Sequence, residues 1–464
     1  MKAPWLTLAE AARALGLAPP GGSDEVSLAG VSTDSRTIKP GELFVALRGP
    51  NFDGHGFIAQ AFEKGAAAAL AGKGTRVPRG RPVLRVEDTL RSLGDLAAWF
   101  RRRRPLQVVA VTGSNGKTTT KEMIVRILKQ KYRTHASAGN FNTLVGLPLS
   151  IFELRSSDQA AVLEMGMNHP GEIARLTEIA APDVGLVTNV GPAHLQGLGS
   201  LRGVAQAKGE LFRGLAPQTV AVVNLDDPLV MREAAVFKGK HITFGFTAKS
   251  DVHPRGLDRK GPGGRAFTLV TPLGQARVEL ALLGRHNVAN ALAAAAVGAA
   301  FGLSAQQTAE ALAGFPAFPR RLQLRRLPGP VHLLDDTYNS NPVSAKLALE
   351  VLIGLPGRGR TLAVLGDMLE LGKVSAAEHT RLGREAARLG VDVLVVVGPE
   401  SRRLGLAAKN SDRPPRHVRW FTDQAEAAAW LAAELKPHDR VLVKGSRGMH
   451  LEDLVDRLIS GGAT

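Results

Sequence analysis

The stretch that most limits the possible folds is Val111-Thr-Gly-Ser-Asn-Gly-Lys-Thr-Thr-Thr120. The apolar run Val108–Val111 before it reads as a buried strand. The segment Lys117–Gln130 after it carries Met123, Ile124, Ile127 and Leu128 at helical spacing. A glycine-rich turn between strand and helix aims backbone N–H groups at an anion. Gly113, Ser114, Asn115, Gly116, Lys117, Thr118 and Thr119 therefore form a candidate phosphate loop, with Lys117 adding a point charge and Thr118 a hydroxyl for Mg²⁺. The commoner pattern G-x-x-x-x-G-K-[ST] is not met, because Val111 stands at its first glycine; the loop is the shorter T-G-x-x-G-K-T-T. A tight turn of small polar residues is the bland reading, but it leaves the agreement of strand, loop and helix unexplained. Nucleotide binding follows, with motor, switch, kinase and ligase all open.

A chain of 464 residues is too long for one core, so several domains are expected. No apolar run reaches membrane-spanning length, and the N-terminal MKAPWLTLAEAARALGLAPP has an amphipathic helical pattern rather than that of a signal peptide. With no Cys there is neither disulfide nor thiolate chemistry, which fits a cytoplasmic location. A net charge of +17 suggests nucleic acid or polyanionic small substrates. Aromatics at 5% argue against base-stacking platforms, so no nucleic-acid partner and no membrane insertion are expected. The basic run Arg101–Arg104, ending at Pro105, reads as a solvated linker.

The pattern divides the chain into an N-terminal segment (1–103), a central segment (104–317) that opens with the phosphate loop, and a C-terminal segment (318–464). The N-terminal segment reads as a smaller α/β domain. In the central segment Ala160–Glu164, Val184–Thr188 and Val220–Asn224 read as buried strands, Lys249–Arg265 as a mobile turn or hairpin, and Asn287–Phe301 as an Ala-rich helix. In the C-terminal segment strands near Val331–Leu334, Leu362–Leu365, Val393–Val397 and Arg440–Val443 alternate with helices. Such alternation predicts an α/β class with mostly parallel, doubly wound sheets: a P-loop central domain and a Rossmann-like C-terminal domain.

Chemistry-bearing residues follow the strands, where open parallel sheets bind ligands. Glu164 ends one strand and opens E-M-G-M-N-H-P; His194 lies in N-V-G-P-A-H beyond the next. With Thr118 they would surround Mg²⁺, although either alone is also an ordinary polar strand end. Lys208, in A-Q-A-K-G-E-L-F, reads as a surface lysine, or as a lysine converted to a carbamate if it sits beside metal. Asn287, in G-R-H-N-V-A-N, either meets an adenine edge or caps the helix. Arg321 is placed to reach between domains toward a phosphate. Asp335-Asp-Thr-Tyr-Asn-Ser-Asn-Pro342 is too polar for core and reads, blandly, as a turn and helix cap.

These motifs in this order resemble the Mur ligase family of peptidoglycan synthesis: TGSNGKTTT, EMGMNHPGE, GPAH, AKGELF, GRHNVANALAA, PRRLQ, DDTYNSNP and KGSRGMHLE. Gly139-Asn-Phe-Asn, Glu164-Met-Gly-Met-Asn-His, Asp336-Thr-Tyr-Asn-Ser-Asn, Gly366-Asp-Met-Leu-Glu-Leu-Gly and Lys444-Gly-Ser-Arg are similar to the branch that adds D-Ala-D-Ala to UDP-MurNAc-tripeptide. The neighbouring branch, which adds a single amino acid, would carry D-Y-A-H and K-G-H-E types instead. The resemblance implies an ATP-dependent amide ligase working through an acyl phosphate, probing as substrates ATP, UDP-MurNAc-tripeptide and D-Ala-D-Ala. It implies that Gly113–Thr119 bind the triphosphate, that Thr118, Glu164 and His194 hold a pair of Mg²⁺ ions with Lys208 carbamylated, and that Lys117, His194 and Lys208 serve catalysis. Asn287, Arg321 and Asp336 would clamp the nucleotide. Substrate contacts are implied for Ser32, Ser35 and Arg36 in S-T-D-S-R, for Asn140 and Asn142, and for Tyr338, Asn339 and Asn341. A monomer is the expected state.

Overall fold

Continuous apolar strands with β-branched residues favour parallel pairing, because helices then cover both faces of the sheet. The computed structural model bears this out; it describes residues 5–21, 25–49, 52–137, 139, 141–258, 265–327 and 329–461. The central sheet runs in the spatial order Lys240–Phe244, Val220–Asn224, Val184–Val187, Gln107–Thr112, Ala160–Glu164, Thr134–Ala136. All its pairings are parallel. Gln107–Thr112 lies in the middle, and the chain passes to one side of it and then the other, so a crevice opens at its carboxyl end. The helix Arg285–Ala300 is buried along most of its length and packs on the helix Lys117–Leu128 that leaves the loop.

The N-terminal part holds a four-stranded parallel sheet, Gly30–Ser32, Glu42–Val45, Ala68–Gly72 and Val83–Val86. The C-terminal sheet has the order Gln323–Leu327, Val331–Asp336, Arg440–Lys444, Thr361–Gly366, Val393–Val397, His417–Phe421, with only the first strand antiparallel. One apolar core runs unbroken from Leu6 and Leu43 through Leu93 and Phe100 to Val108, Leu163 and Leu211. The N-terminal and central parts are thus joined by packing, whereas the C-terminal sheet has its own cores on its two faces. No helix among the described residues is long and apolar enough to cross a membrane.

Two sequence expectations need correction, and a third is narrowed. Arg101 is not part of a solvated linker: it ends the helix Thr89–Arg102, is 7% exposed, and donates to Ala180 O at 3.1 Å and Leu106 O at 3.2 Å. Lys249–Arg265 takes the hairpin form of its reading, since His253–Arg255 pairs antiparallel with Arg265–Thr271 in a three-stranded sheet; residues 259–264 lie outside the described residues. The polar run Asp335–Pro342 is in part core, with Asp335, Thr337 and Ser340 buried and Thr337 Oγ1 donating to Asp335 at 2.8 Å.

Candidate active site

The loop after Gln107–Thr112 needs glycine at two places. Gly113 has φ +147° and Gly116 has φ +80°; a Cβ on the first would collide with Thr188 Oγ1, and one on the second with Asn290 Oδ1. The segment after strand Val184–Val187 holds the loop in place. Thr188 Oγ1 donates to Asn115 O at 2.7 Å. Asn189 accepts from Asn115 N–H and donates to Asn115 O, both at 3.0 Å. The Gly191 N–H donates to Ser114 Oγ at 2.8 Å. The loop therefore presents the first turn of helix Lys117–Leu128, whose N–H groups have no intrahelical acceptors, to the crevice.

Thr118 and Glu164 meet as the sequence suggested. Thr118 Oγ1 donates to Glu164 Oε2 at 2.8 Å, and Asn142 Nδ2 donates to Glu164 Oε1 at 2.9 Å. Glu164 is 3% exposed and forms no ion pair among the described residues. A buried carboxylate bonded only to neutral donors is an unusual expense unless a cation completes it. Lys117 donates to Gly113 O at 2.9 Å, and burial pushes its ammonium below its usual range, against the pull of Glu164.

Lys208 overturns its bland reading. It is 2% exposed inside helix Leu201–Arg213, with no hydrogen bond or ion pair among the described residues. Burial, aided by repulsion from Lys117, holds it well below the ordinary lysine range, so the neutral amine is favoured. His194 sits at the turn before the short helix Leu195–Leu198, with Nδ1 buried and 2.8 Å from Glu370 Oε2 of the C-terminal part. That oxygen lies off the ring's N–H direction, so the contact is electrostatic rather than an aligned hydrogen bond.

The C-terminal part reaches into the loop directly. Arg321 Nη2 donates to Thr118 Oγ1 at 3.0 Å, and its guanidinium stacks 3.8 Å from the Tyr338 ring centroid. Arg447 approaches the same ring at 5.3 Å. Asn341 caps helix Pro342–Gly354, as the bland reading has it, and also donates to Asn115 Oδ1 of the loop at 2.8 Å. Asp336 is held by Lys444 Nζ at 2.6 Å; burial raises its carboxyl, and Lys444 opposes that rise. Asn287 is not a cap: Gly284 occupies that position, and Asn287 donates to Leu283 O at 2.8 Å and accepts from Asn290 at 3.0 Å.

Ser114–Thr119, Asn142, Glu164, His194, Asn287, Arg321, Asp336, Tyr338, Asn339 and Asn341 all line one cavity of about 1020 Å³ between the two parts. Gly113, the first residue of the loop, does not line the cavity, and neither does the buried Lys208. Ser32, Ser35 and Arg36 are not brought to it: Ser35 Oγ donates to Gln60 at 2.8 Å, Ser32 Oγ to Asp34 O at 3.2 Å, and Arg36 pairs with Asp34 at 2.7 Å. Asn140 lies outside the described residues. Sequence reasoning gave no site role to Thr188, Asn189 or Asn290, nor to Lys444 and Glu370, which it met only inside motifs of the resemblance. Asn290 had a signal, since it falls one helical turn after Asn287 and on the same face.

As to metal, no group of His, Cys, Asp and Glu among the described residues forms a cluster of three. The fit rests instead on Thr118, Glu164, hydrogen-bonded only to neutral donors, and His194 at one cavity, and on Lys208, whose amine has no hydrogen bond or ion pair among the described residues. A carbamate on Lys208 would give the hard oxygens that Mg²⁺ prefers.

Three family models cover the chain in sequence: Mur ligase family, catalytic domain, at 27–101; Mur ligase middle domain at 111–298; and Mur ligase, glutamate ligase domain, at 320–447. The chain belongs to the Mur ligase family. Its relatives extend over the whole length. The UDP-N-acetylmuramoyl-tripeptide–D-alanyl-D-alanine ligase of Escherichia coli is 39% identical over 94% of this chain and 95% of its own. MurF of Acinetobacter baumannii superimposes with a TM-score of 0.87 at 34% identity, covering 98% of each chain. MurF of Thermotoga maritima, solved in complex with ADP, gives 0.83 at 30% identity over 93% of this chain and 97% of that one. Within the Mur ligases the chain is therefore of the MurF type.

Proposed function

We infer that this chain is the ATP-dependent ligase that joins D-Ala-D-Ala to UDP-MurNAc-tripeptide in peptidoglycan synthesis. The observation that carries the reading is the phosphate loop of one domain touched by Arg321 and Asn341 of another across a single cavity. Full-length MurF relatives select the substrates.

A carboxylate is a poor electrophile. Transfer of the γ-phosphoryl group to it breaks the bond to the β-phosphate, releases ADP and leaves an acyl phosphate. The dipeptide amine then attacks the acyl carbon; phosphate departs, and the amine loses a proton as the amide forms. The protein's part is alignment and charge neutralisation. The first turn of helix Lys117–Leu128 and the Lys117 ammonium receive the phosphates, and Arg321 adds a cation from the opposite side. Asn287 and Asp336, on the cavity wall, clamp the nucleoside. Tyr338, Asn339 and Asn341 face the space left for the reacting carboxylate and amine, and Asn142 steadies Glu164. Ser32, Ser35 and Arg36 would bind the UDP end of the substrate, away from the chemistry, and Asn140 would join Asn142 on that substrate. Thr118, Glu164, His194 and a carbamylated Lys208 would hold Mg²⁺, which supplies charge neutralisation on the phosphate oxygens. We place the enzyme in the cytoplasm as a monomer, with domains at 1–103, 104–317 and 318–464.

The test is ATP-dependent coupling with purified protein across a panel of UDP-MurNAc-peptides and amines. Addition of a single amino acid to the UDP-dipeptide, with D-Ala-D-Ala ignored, would move the chain to the neighbouring branch.

A further inference from the structure

His194 and Glu370 meet across the central and C-terminal parts, and each has a left-handed backbone, φ +55° and +64°. Such conformations in non-glycine residues carry strain and persist only where the surroundings hold them. For Glu370 the support is explicit. Asp367, 3% exposed, accepts from Ser401 N–H at 2.7 Å and Ser401 Oγ at 2.6 Å. His379, fully buried, accepts the Met368 N–H on Nε2 at 3.0 Å and therefore directs its protonated Nδ1 to Ser375 O at 2.8 Å. The Leu369 N–H donates to Ser446 Oγ at 2.9 Å. The loop Gly366–Gly372 is thus built on three anchors inside its own domain.

Its far end touches the other domain. The Gln196 N–H donates to Glu370 O at 3.2 Å, and Glu370 Oε2 lies 2.8 Å from His194 Nδ1. Gly372 is so close that a Cβ on it would stand 3.5 Å from Gln196 Cβ. The anchored loop, the backbone bond and the side-chain contact converge on one turn.

We propose that the loop Gly366–Gly372 is a latch by which the C-terminal domain fixes the ring of His194, with Glu370 as a positioning residue. The carboxylate occupies the Nδ1 side of the ring, so Nε2 is the nitrogen left for a ligand in the cavity. A histidine that binds through one nitrogen is commonly oriented by a carboxylate on the other. Here that carboxylate belongs to a different domain, so docking of the C-terminal domain and orientation of His194 are one event. The present off-axis contact tightens when the site is filled. Only the consequence for turnover rests on the ligase reading; the contact itself does not.

The chain has no cysteine, so a designed pair reports the latch without background. In the double variant Gln196→Cys, Gly372→Cys the expected Cβ separation falls within disulfide range. Mild oxidation should cross-link the intact chain, seen as a changed mobility that reduction reverses, and faster with an ATP analogue and UDP-MurNAc-tripeptide bound. No cross-link in either state overturns the latch. Glu370→Gln keeps size and removes charge, and Glu370→Ala removes both. Each should lower kcat at least tenfold, with KM for ATP within about twofold and a melting temperature near that of the parent. If Glu370→Ala does not fold, Glu370→Gln carries the test. Unchanged kcat in a folded Glu370→Gln overturns the positioning role. A cross-link in the double variant, together with no coupling activity in the parent enzyme, would instead refute the ligase reading and leave the latch standing.

Discussion

Arg321 Nη2 lies 3.0 Å from the hydroxyl of Thr118, so a residue beyond the second domain boundary touches the second residue of the helix that leaves the glycine-rich loop. The guanidinium is stacked on Tyr338 and faces no carboxylate at ion-pair distance among the described residues. Arg321→Ala should lower kcat/KM for ATP on the order of ten- to a hundredfold, the size of one charge-assisted hydrogen bond of about 1.5–3 kcal/mol. Arg321→Lys should recover only part of this, because an ammonium neither stacks nor forks as a guanidinium does. Steady-state kinetics at varied ATP read the difference.

Gly116 is one of the two loop positions with no steric freedom. Its φ of +80° disfavours any other residue, and a Cβ would strike Asn290. Gly116→Ala should abolish ADP binding measured by calorimetry while circular dichroism shows the fold retained. Binding of ADP at parental affinity would mean that the loop does not receive the phosphates.

Lys208 should carry a carbamate in the active enzyme. Lys208→Ala and Lys208→Arg should both lose nearly all coupling, since arginine stays cationic and cannot add CO₂. A small carboxylate added to Lys208→Ala should restore part of the activity. Incubation with ¹³C-bicarbonate should give a carbamate carbon signal in the parent enzyme that is missing from Lys208→Arg. Near-parental activity in either variant contradicts the assignment.

His286, on the cavity wall, has its pKa pushed down to about 4 by burial and by the Lys444 ammonium. The unfolded chain binds that proton at about 6.5, so between these values the unfolded state holds more protons than the folded one. Stability should therefore fall as pH drops from about 6.5 to about 4, by up to about 3 kcal/mol from this residue, and then level off. Denaturant melts of the parent and His286→Gln across that window check it: the variant should lose less.

The sequence carried the parts that depend on neighbours in the chain. Ala160–Glu164, Val220–Asn224 and Val393–Val397 end where their apolar runs end, because strands covered on both faces admit no polar interruption. The short strand Thr134–Ala136 and the edge strand His417–Phe421 escaped notice, since neither is a buried apolar run. Pairings between distant residues were illegible for a different reason: nothing local says that Lys444 will hold Asp336, or Glu370 face His194. Lys208 was more legible than its bland reading allowed. It lies four residues after Val204 and four before Phe212, on the buried stripe of its helix.

The central claim is the reaction itself. Phosphate release by the purified enzyme with ATP and Mg²⁺ should require UDP-MurNAc-tripeptide and D-Ala-D-Ala together, and the UDP-MurNAc-pentapeptide should appear in equal amount by mass spectrometry. Phosphate release independent of D-Ala-D-Ala, or transfer of a single amino acid to the UDP-dipeptide in its place, would contradict the account.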